Sequence, residues 1–243
     1  MEKRQDLPAR PTLRNMCGRV ALFSPPSRLA RFTQALTTLR DDEWSPSWNL
    51  PPQRPLFVVR TIEKERQLVA HTWGLVPSWA RSPAQGARLA NARAETVAEK
   101  PSFRQAFAER PCVIPVDGYY EWRVDPHGLK LPHYFTRRDG ETLLLAGLFE
   151  RWRDERTGTD LLTCCVVTTA PSEDVVAVHD RMPLVLRPDD LDGWLEGDAS
   201  VRHALLHSAP AGTLQHHEVS RRVNSVRFDD AQLIAPQSTA TLF

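Results

Sequence analysis

The chain has 243 residues, 41% hydrophobic and 25% charged, with a formal net charge of +1. That length suits one large domain or two small ones and is ample for a hydrophobic core. The balance of charge excludes binding of nucleic acid by bulk electrostatics alone. No apolar run approaches the ~20 residues a membrane helix requires, and the charged N-terminus lacks the apolar stretch of a secretory signal.

Residues 1–15, MEKRQDLPARPTLRN, have no periodicity and few apolar residues, and read as disordered. GRVALF is a strand candidate. In SPPSRLARFTQALTTLR, Leu29, Phe32, Leu36 and Leu39 step by three or four, which predicts an amphipathic helix with Ser24 as cap and Pro25 in the first turn. LFVVR and RQLVAHTW predict a hairpin around TIEKE. SPAQGARLA reads as a loop, and SFRQAFAER as a short helix capped by Ser102. CVIPV, GYYEWR, LPHYFTR, TLLLAGLFERW and LLTCCVVTT are short apolar or aromatic runs divided by Gly, Asp and Pro, the pattern of antiparallel strands. RPDDLDGWLEG and SVRHALLHS predict late helices, and TLQHHEVS a closing strand. There is no βαβ rhythm, no Gly-rich phosphate loop, no internal repeat and no dividing linker. The expectation is one α+β domain on a curled, largely antiparallel sheet with a barrel-like core and peripheral helices.

Of the 31 basic residues only Lys3, Lys64, Lys100 and Lys130 are lysine. An arginine-biased genome explains this, and so does bidentate phosphate binding. The four cysteines are Cys17, Cys112, Cys164 and Cys165. No CxxC occurs and Cys164 and Cys165 are adjacent, so no metal site, cofactor or disulfide is expected and the compartment reads as reducing and cytoplasmic.

Polar residues in unusual settings are the candidates for chemistry. WGLVPSWA places Trp73 and Trp79 around Gly and Pro, as core residues or as platforms for stacked bases. NARAET joins Asn91, Arg93 and Glu95. DGYYEW sets Glu121 in an aromatic strand, where it is either the solvent-facing member of an alternating pattern or a buried acid. VHDRMP holds His179 and Arg181 between apolar stretches. Taken with Cys17, these supply a thiol, an amide, a carboxyl, an imidazole and several guanidiniums. That set suits a Cys–His peptidase or a nucleophile for a carbonyl substrate.

MCGRV, WNLPPQ, WGLVPSWA, NARAET, VIPVDGYYEW, LAGLFERW, VVTTAP, HDRMP and RRVNSVRFDDAQLI, in this order, resemble the SRAP family (SOS response-associated peptidase). The resemblance runs over residues 16–235, leaving 1–15 as a leader or misassigned start and 236–243 as a tail. The NLPP at 49–52 departs from it, since the family usually has a small residue before the last Pro. The resemblance implies a mature chain beginning at Cys17, whose amine and thiol capture the aldehyde of an abasic site in single-stranded DNA as a thiazolidine. It implies Asn91 as the group holding that linkage, Glu121 and His179 as acid/base groups, Arg19, Arg93 and Arg181 on DNA phosphates, and Pro52 and Trp73 as a wedge against bases. It also implies self-cleavage of the leader as a route to a free Cys17, and a monomer found at the nucleoid when bound to DNA. A thiol peptidase acting on other proteins, and a non-catalytic module for single-stranded DNA, are the alternatives.

Overall fold

The computed structural model describes residues 18–237. The leader, Met16, Cys17 and most of the expected C-terminal tail lie outside the described residues. In chain order the strands are β1 (Val20–Leu22), β2 (Leu36–Thr37), β3 (Ser47–Leu50), β4 (Pro55–Ile62), β5 (Glu65–Trp73), β6 (Asn91–Arg93), β7 (Pro111–Val116), β8 (Gly118–Val124), β9 (Lys130–Arg137), β10 (Leu143–Arg153), β11 (Asp160–Thr169), β12 (Met182–Pro183), β13 (Val185–Leu186) and β14 (Leu214–Glu218). Short helices α1 (Pro26–Phe32), α2 (Arg104–Glu109), α3 (Leu191–Leu195) and α4 (Ala199–Ala204) accompany them.

β4 and β5 form the expected hairpin, with Ile62 opposite Glu65. Its two-residue turn is Glu63–Lys64, both at positive φ (50° and 68°), the geometry that matches strand twist. From this hairpin the sheet closes on itself. β5 pairs in parallel with β11 through Thr72–Thr163 and Trp73–Cys164. β11 pairs with β10 and β10 with β7, both antiparallel. β7 returns to β4 through Val59 opposite Val113. The ring of β4, β5, β11, β10 and β7 is therefore a small mixed barrel, and closure removes the free strand edges that invite aggregation. The alternation of side chains turns Leu56, Val58, Trp73, Cys112, Ile114 and Cys164 inward, and all are buried. β7 is buried along its whole length, which is why CVIPV is continuously apolar.

A second sheet, ordered β14–β9–β8–β1–β3, lies against the barrel and is antiparallel throughout. Tyr119 and Phe135 stack with ring centroids 4.9 Å apart and join one hydrophobic core with Val116 and Leu145 of the barrel. Asp117, between β7 and β8, accepts from the backbone N–H groups of Phe23 and Ser24 at 2.6 and 2.8 Å, fastening the end of β1 to the junction of the two sheets.

The long helix expected over 24–40 ends at Phe32. Gln34 takes a left-handed φ of 54°, and Leu36–Thr37 leave the helix to pair in parallel with β5. Tertiary pairing overrides the helical spacing of Leu36 and Leu39. Neither expected serine cap forms. Ser24 gives its hydroxyl to Asp117 while Pro25 takes the cap position, and Phe103 rather than Ser102 precedes α2. SPAQGARLA is a 3-10 helix over Pro83–Arg88, capped by Ser82 accepting from the Ala84 N–H at 3.3 Å. The five central strands fall where the sequence put them.

Candidate functional site

β1 and β8 run side by side, with Val20 opposite Tyr119 and the Tyr120 N–H donating to the Arg19 carbonyl at 3.0 Å. Along β8, Tyr119 and Glu121 share one face, and Tyr120 and Trp122 the other. Tyr120 and Trp122 are anchored by polar atoms. The Tyr120 hydroxyl donates to the Trp48 carbonyl at 2.6 Å, and the Trp122 indole N–H donates to Asn224 at 2.7 Å. The choice left open for Glu121 is settled by burial. Glu121 is only 2% exposed and His179 only 5%. The two meet across the junction of the sheets, His179 Nε2 standing 3.8 Å from Glu121 Oε2.

The other wall is built on the last residues of β11. β6 adds in parallel on one side, with Asn91 at the level of Val166 and Arg93 at that of Thr168. β12 adds on the other, with Thr168 opposite Pro183. His179 and Arg181 sit just ahead of β12. His179 Nδ1 lies 3.1 Å from the Arg181 N–H, 3.2 Å from the Arg181 carbonyl and 3.2 Å from an Asp180 carboxylate oxygen. An accepting Nδ1 and a donating one therefore both find partners.

The arginines divide by environment. Arg181 forks onto both carboxylate oxygens of Glu95 and donates to the Thr168 carbonyl at 2.7 Å, so NARAET and HDRMP are clasped together. The same guanidinium lowers the pKa of Glu95 below the usual carboxylate range. Arg19 donates to Asn49 at 2.5 Å and to the Val223 carbonyl at 2.8 Å, and burial lowers its pKa. Arg93 is exposed.

Trp73 requires a correction. Its ring is 0% exposed and its indole N–H donates to the Ala90 carbonyl at 2.9 Å, so it is a barrel residue with no face for a base. Trp79, six residues on, is 60% exposed. Pro52 lies half-buried in the turn between β3 and β4. That turn is held by Gln53 at φ 69°, whose backbone and side-chain amides donate to the Trp73 carbonyl at 2.7 and 3.2 Å. Gly74, at φ 126°, makes this approach possible, since a Cβ there would stand 2.2 Å from the Gln53 amide and 2.6 Å from the Gly86 carbonyl.

The structure thus brings Glu121 and His179 into one buried pair and builds Asn91, Arg93 and Arg181 onto neighbouring strands. Cys17 lies outside the described residues; its neighbour Gly18 begins the approach to β1. Cys112, Cys164 and Cys165 are buried in the core, and burial pushes each thiol pKa up, away from a reactive thiolate.

The profile of a family described as SOS response associated peptidase (SRAP) matches residues 16–226. The chain belongs to the SRAP family. Among curated relatives, the abasic site processing protein YoqW of Bacillus subtilis is 34% identical over 223 residues, covering 90% of this chain and 99% of its own. The abasic site processing protein HMCES of Gallus gallus is 31% identical over 262 residues, covering 91% and 78%. A crystal structure of a Bacteroides thetaiotaomicron protein superposes with a TM-score of 0.81 at 22% identity, covering 91% of this chain and all of the other. One from Bordetella bronchiseptica superposes at 0.71 with 26% identity, covering 84% and 100%.

Sequence reasoning missed Asn49, which accepts from Arg19 and organises the segment beside it. Buried in β3, its amide donates to the carbonyls of Val223, Ser225 and Phe228 at 3.3, 3.1 and 2.7 Å, pinning the segment that carries Asn224. The signal was a polar residue inside WNLPP, an otherwise apolar run.

Proposed function

We propose that the chain captures abasic sites in single-stranded DNA through the α-amine and thiol of Cys17. The α-amine, with an ordinary pKa near ~8, has a useful neutral fraction at pH 7. It adds to the aldehyde carbon of the ring-opened deoxyribose and loses water to give an imine. The thiol then adds to the same carbon, and its proton passes to nitrogen as the five-membered thiazolidine closes. Tethering of the thiol to the amine makes the closure intramolecular. The buried Glu121–His179 pair is the observation that carries this reading. A carboxyl and an imidazole facing across 3.8 Å can open the sugar ring and move protons to and from nitrogen, sulfur and water. Asn91 holds the linkage, Arg93 contacts phosphate, and Arg19 and Arg181 shape the walls and add positive field. Pro52 and the exposed Trp79 support the bases, with Trp79 in the part that the resemblance implied for Trp73.

The chemistry requires the Met16–Cys17 bond to be broken, because an internal Cys has an amide in place of the amine. Self-cleavage by the Glu121–His179 pair is one route, and removal of Met16 after a start at that residue is the other. Intact mass of the protein from its host reads which N-terminus exists. Incubation of the Cys17-terminated protein with an abasic oligonucleotide is expected to give an adduct that survives denaturation. The same stable adduct from Cys17→Ala would overturn the proposal. A thiol peptidase acting on other proteins predicts turnover of peptides in trans.

A further inference from the structure

Strand parity turns Arg60 of β4, Phe149 and Arg151 of β10, and Leu162 of β11 toward the same interior as Cys112 and Cys164. They line a cavity of about 670 Å³ at one mouth of the barrel, together with Ser78, Gln105 and Arg110. The level of Asn91 and Arg93 is four to six residues further along β11, about 13–20 Å at strand rise. This mouth is therefore separate from the abasic-site chemistry. Two motifs that the proposed mechanism leaves largely unused, LAGLFERW and WGLVPSWA, meet here through Phe149, Arg151 and Ser78.

The cations of the mouth are unevenly matched. Arg110 pairs with Glu150 at 3.0 Å and with Glu109 at 2.8 Å, and Arg151 with Asp160 at 2.5 Å. Arg60 has no such carboxylate among the described residues. Its guanidinium lies 4.7 Å over the ring of Phe149, and its Nε is buried with no acceptor. A half-buried guanidinium without a carboxylate partner is costly unless something else supplies acceptor oxygens. The cation–π contact with Phe149 holds the guanidinium at the cavity, and a held guanidinium favours a bidentate oxyanion. Ser78 and Gln105 also line the cavity, the Gln105 amide donating to Glu109 at 3.4 Å, while the lining carboxylates Glu150 and Asp160 are the ones already paired with Arg110 and Arg151.

We infer that the barrel mouth is an anion site that takes a phosphate group on Arg60, with Ser78 and Gln105 completing its shell. A phosphate group could come from a free nucleotide or from the backbone of bound DNA, and the two are separable. The test is titration of the full chain with inorganic phosphate and with a deoxynucleoside monophosphate, followed by the arginine Nε–H resonances. A saturable shift of the Arg60 Nε–H is expected. Arg60→Met, which keeps the stem on Phe149, is expected to weaken binding by about tenfold or more, with Arg60→Lys intermediate. Crosslinking to an abasic oligonucleotide is expected to persist in Arg60→Met, so failure here and failure of the proposed function read out separately. Displacement of the monophosphate by saturating oligonucleotide assigns the site to backbone phosphate; simultaneous binding assigns it to a free nucleotide. No shift of the Arg60 resonance with either phosphate, or equal affinity in a folded Arg60→Met protein, overturns the inference. If that variant does not fold, the wild-type resonance decides.

Discussion

Replacing Trp73 and Trp79 in turn separates a barrel residue from a DNA-facing one. Trp73 is fully buried, so Trp73→Ala removes an aromatic side chain from a closed interior at a cost of about 3–5 kcal/mol. The lost bond from its indole N–H to the Ala90 carbonyl adds about 0.5–1.5 kcal/mol. Domains of this kind are stable by about 5–15 kcal/mol, so this change removes from about a quarter to all of the total. Trp79, 60% exposed, gives up little on truncation, about 1 kcal/mol or less. A stacked base is worth about 1–3 kcal/mol, so Trp79→Ala is expected to weaken single-stranded DNA binding by about 5- to 150-fold at unchanged fold. Urea denaturation reads the stability arm, and fluorescence anisotropy with a labelled oligonucleotide at fixed salt reads the other. A Trp73→Ala protein of wild-type stability that no longer bound DNA would refute the assignment, as would undiminished binding by Trp79→Ala.

Acid weakens the fold through histidines held neutral. Burial lowers the pKa of His71 to about 4, and burial followed by the facing His216 does the same for His133. Both folded values lie below the ordinary 6.5, so the neutral form is the folded one. Its stabilisation is complete above pH 6.5 and is lost as pH falls from 6.5 toward 4, by up to about 3 kcal/mol for His71. Urea midpoints between pH 7 and 4.5 are expected to fall more steeply for wild type than for His71→Gln; equal slopes contradict the account. Gly74→Ala forces a Cβ against Gln53 and Gly86 at φ 126° and is expected to cost about 2–5 kcal/mol in thermal or urea unfolding. Asn49→Ala strips the amide donors from Val223, Ser225 and Phe228 and is expected to cost about 2–4 kcal/mol. New protease cleavage within residues 221–228 checks it, and an unchanged digestion pattern counts against it.

The sequence made the middle of the molecule legible and its margins less so. CVIPV through LLTCCVVTT became β7 to β11 because long apolar runs between turn residues leave few alternatives to a strand. The barrel's closure was invisible, since the β5–β11 contact joins residues 91 apart through two pairs that carry no local pattern. The same blindness hid β2, where Leu36 and Leu39 repeat like a helix while Gln34 has already turned the chain. Glu121 and His179 were named from their motifs, but only the meeting of the two sheets shows them opposite each other. Trp73 and Trp79 flank the same Gly-Leu-Val-Pro-Ser, and nothing in that run says which ring points inward.

Asn91 and His179 both take their positions from β11, one through β6 and the other through the segment entering β12. Breathing of β11 therefore carries the amide and the imidazole as a unit. Glu121 belongs to the other sheet, so its distance from the imidazole is governed by how far apart two layers stand. The stacked rings of Tyr119 and Phe135 belong to that sheet and pack into the core it shares with the barrel. Thinning or thickening either ring is therefore expected to change the Glu121–His179 separation without altering either group.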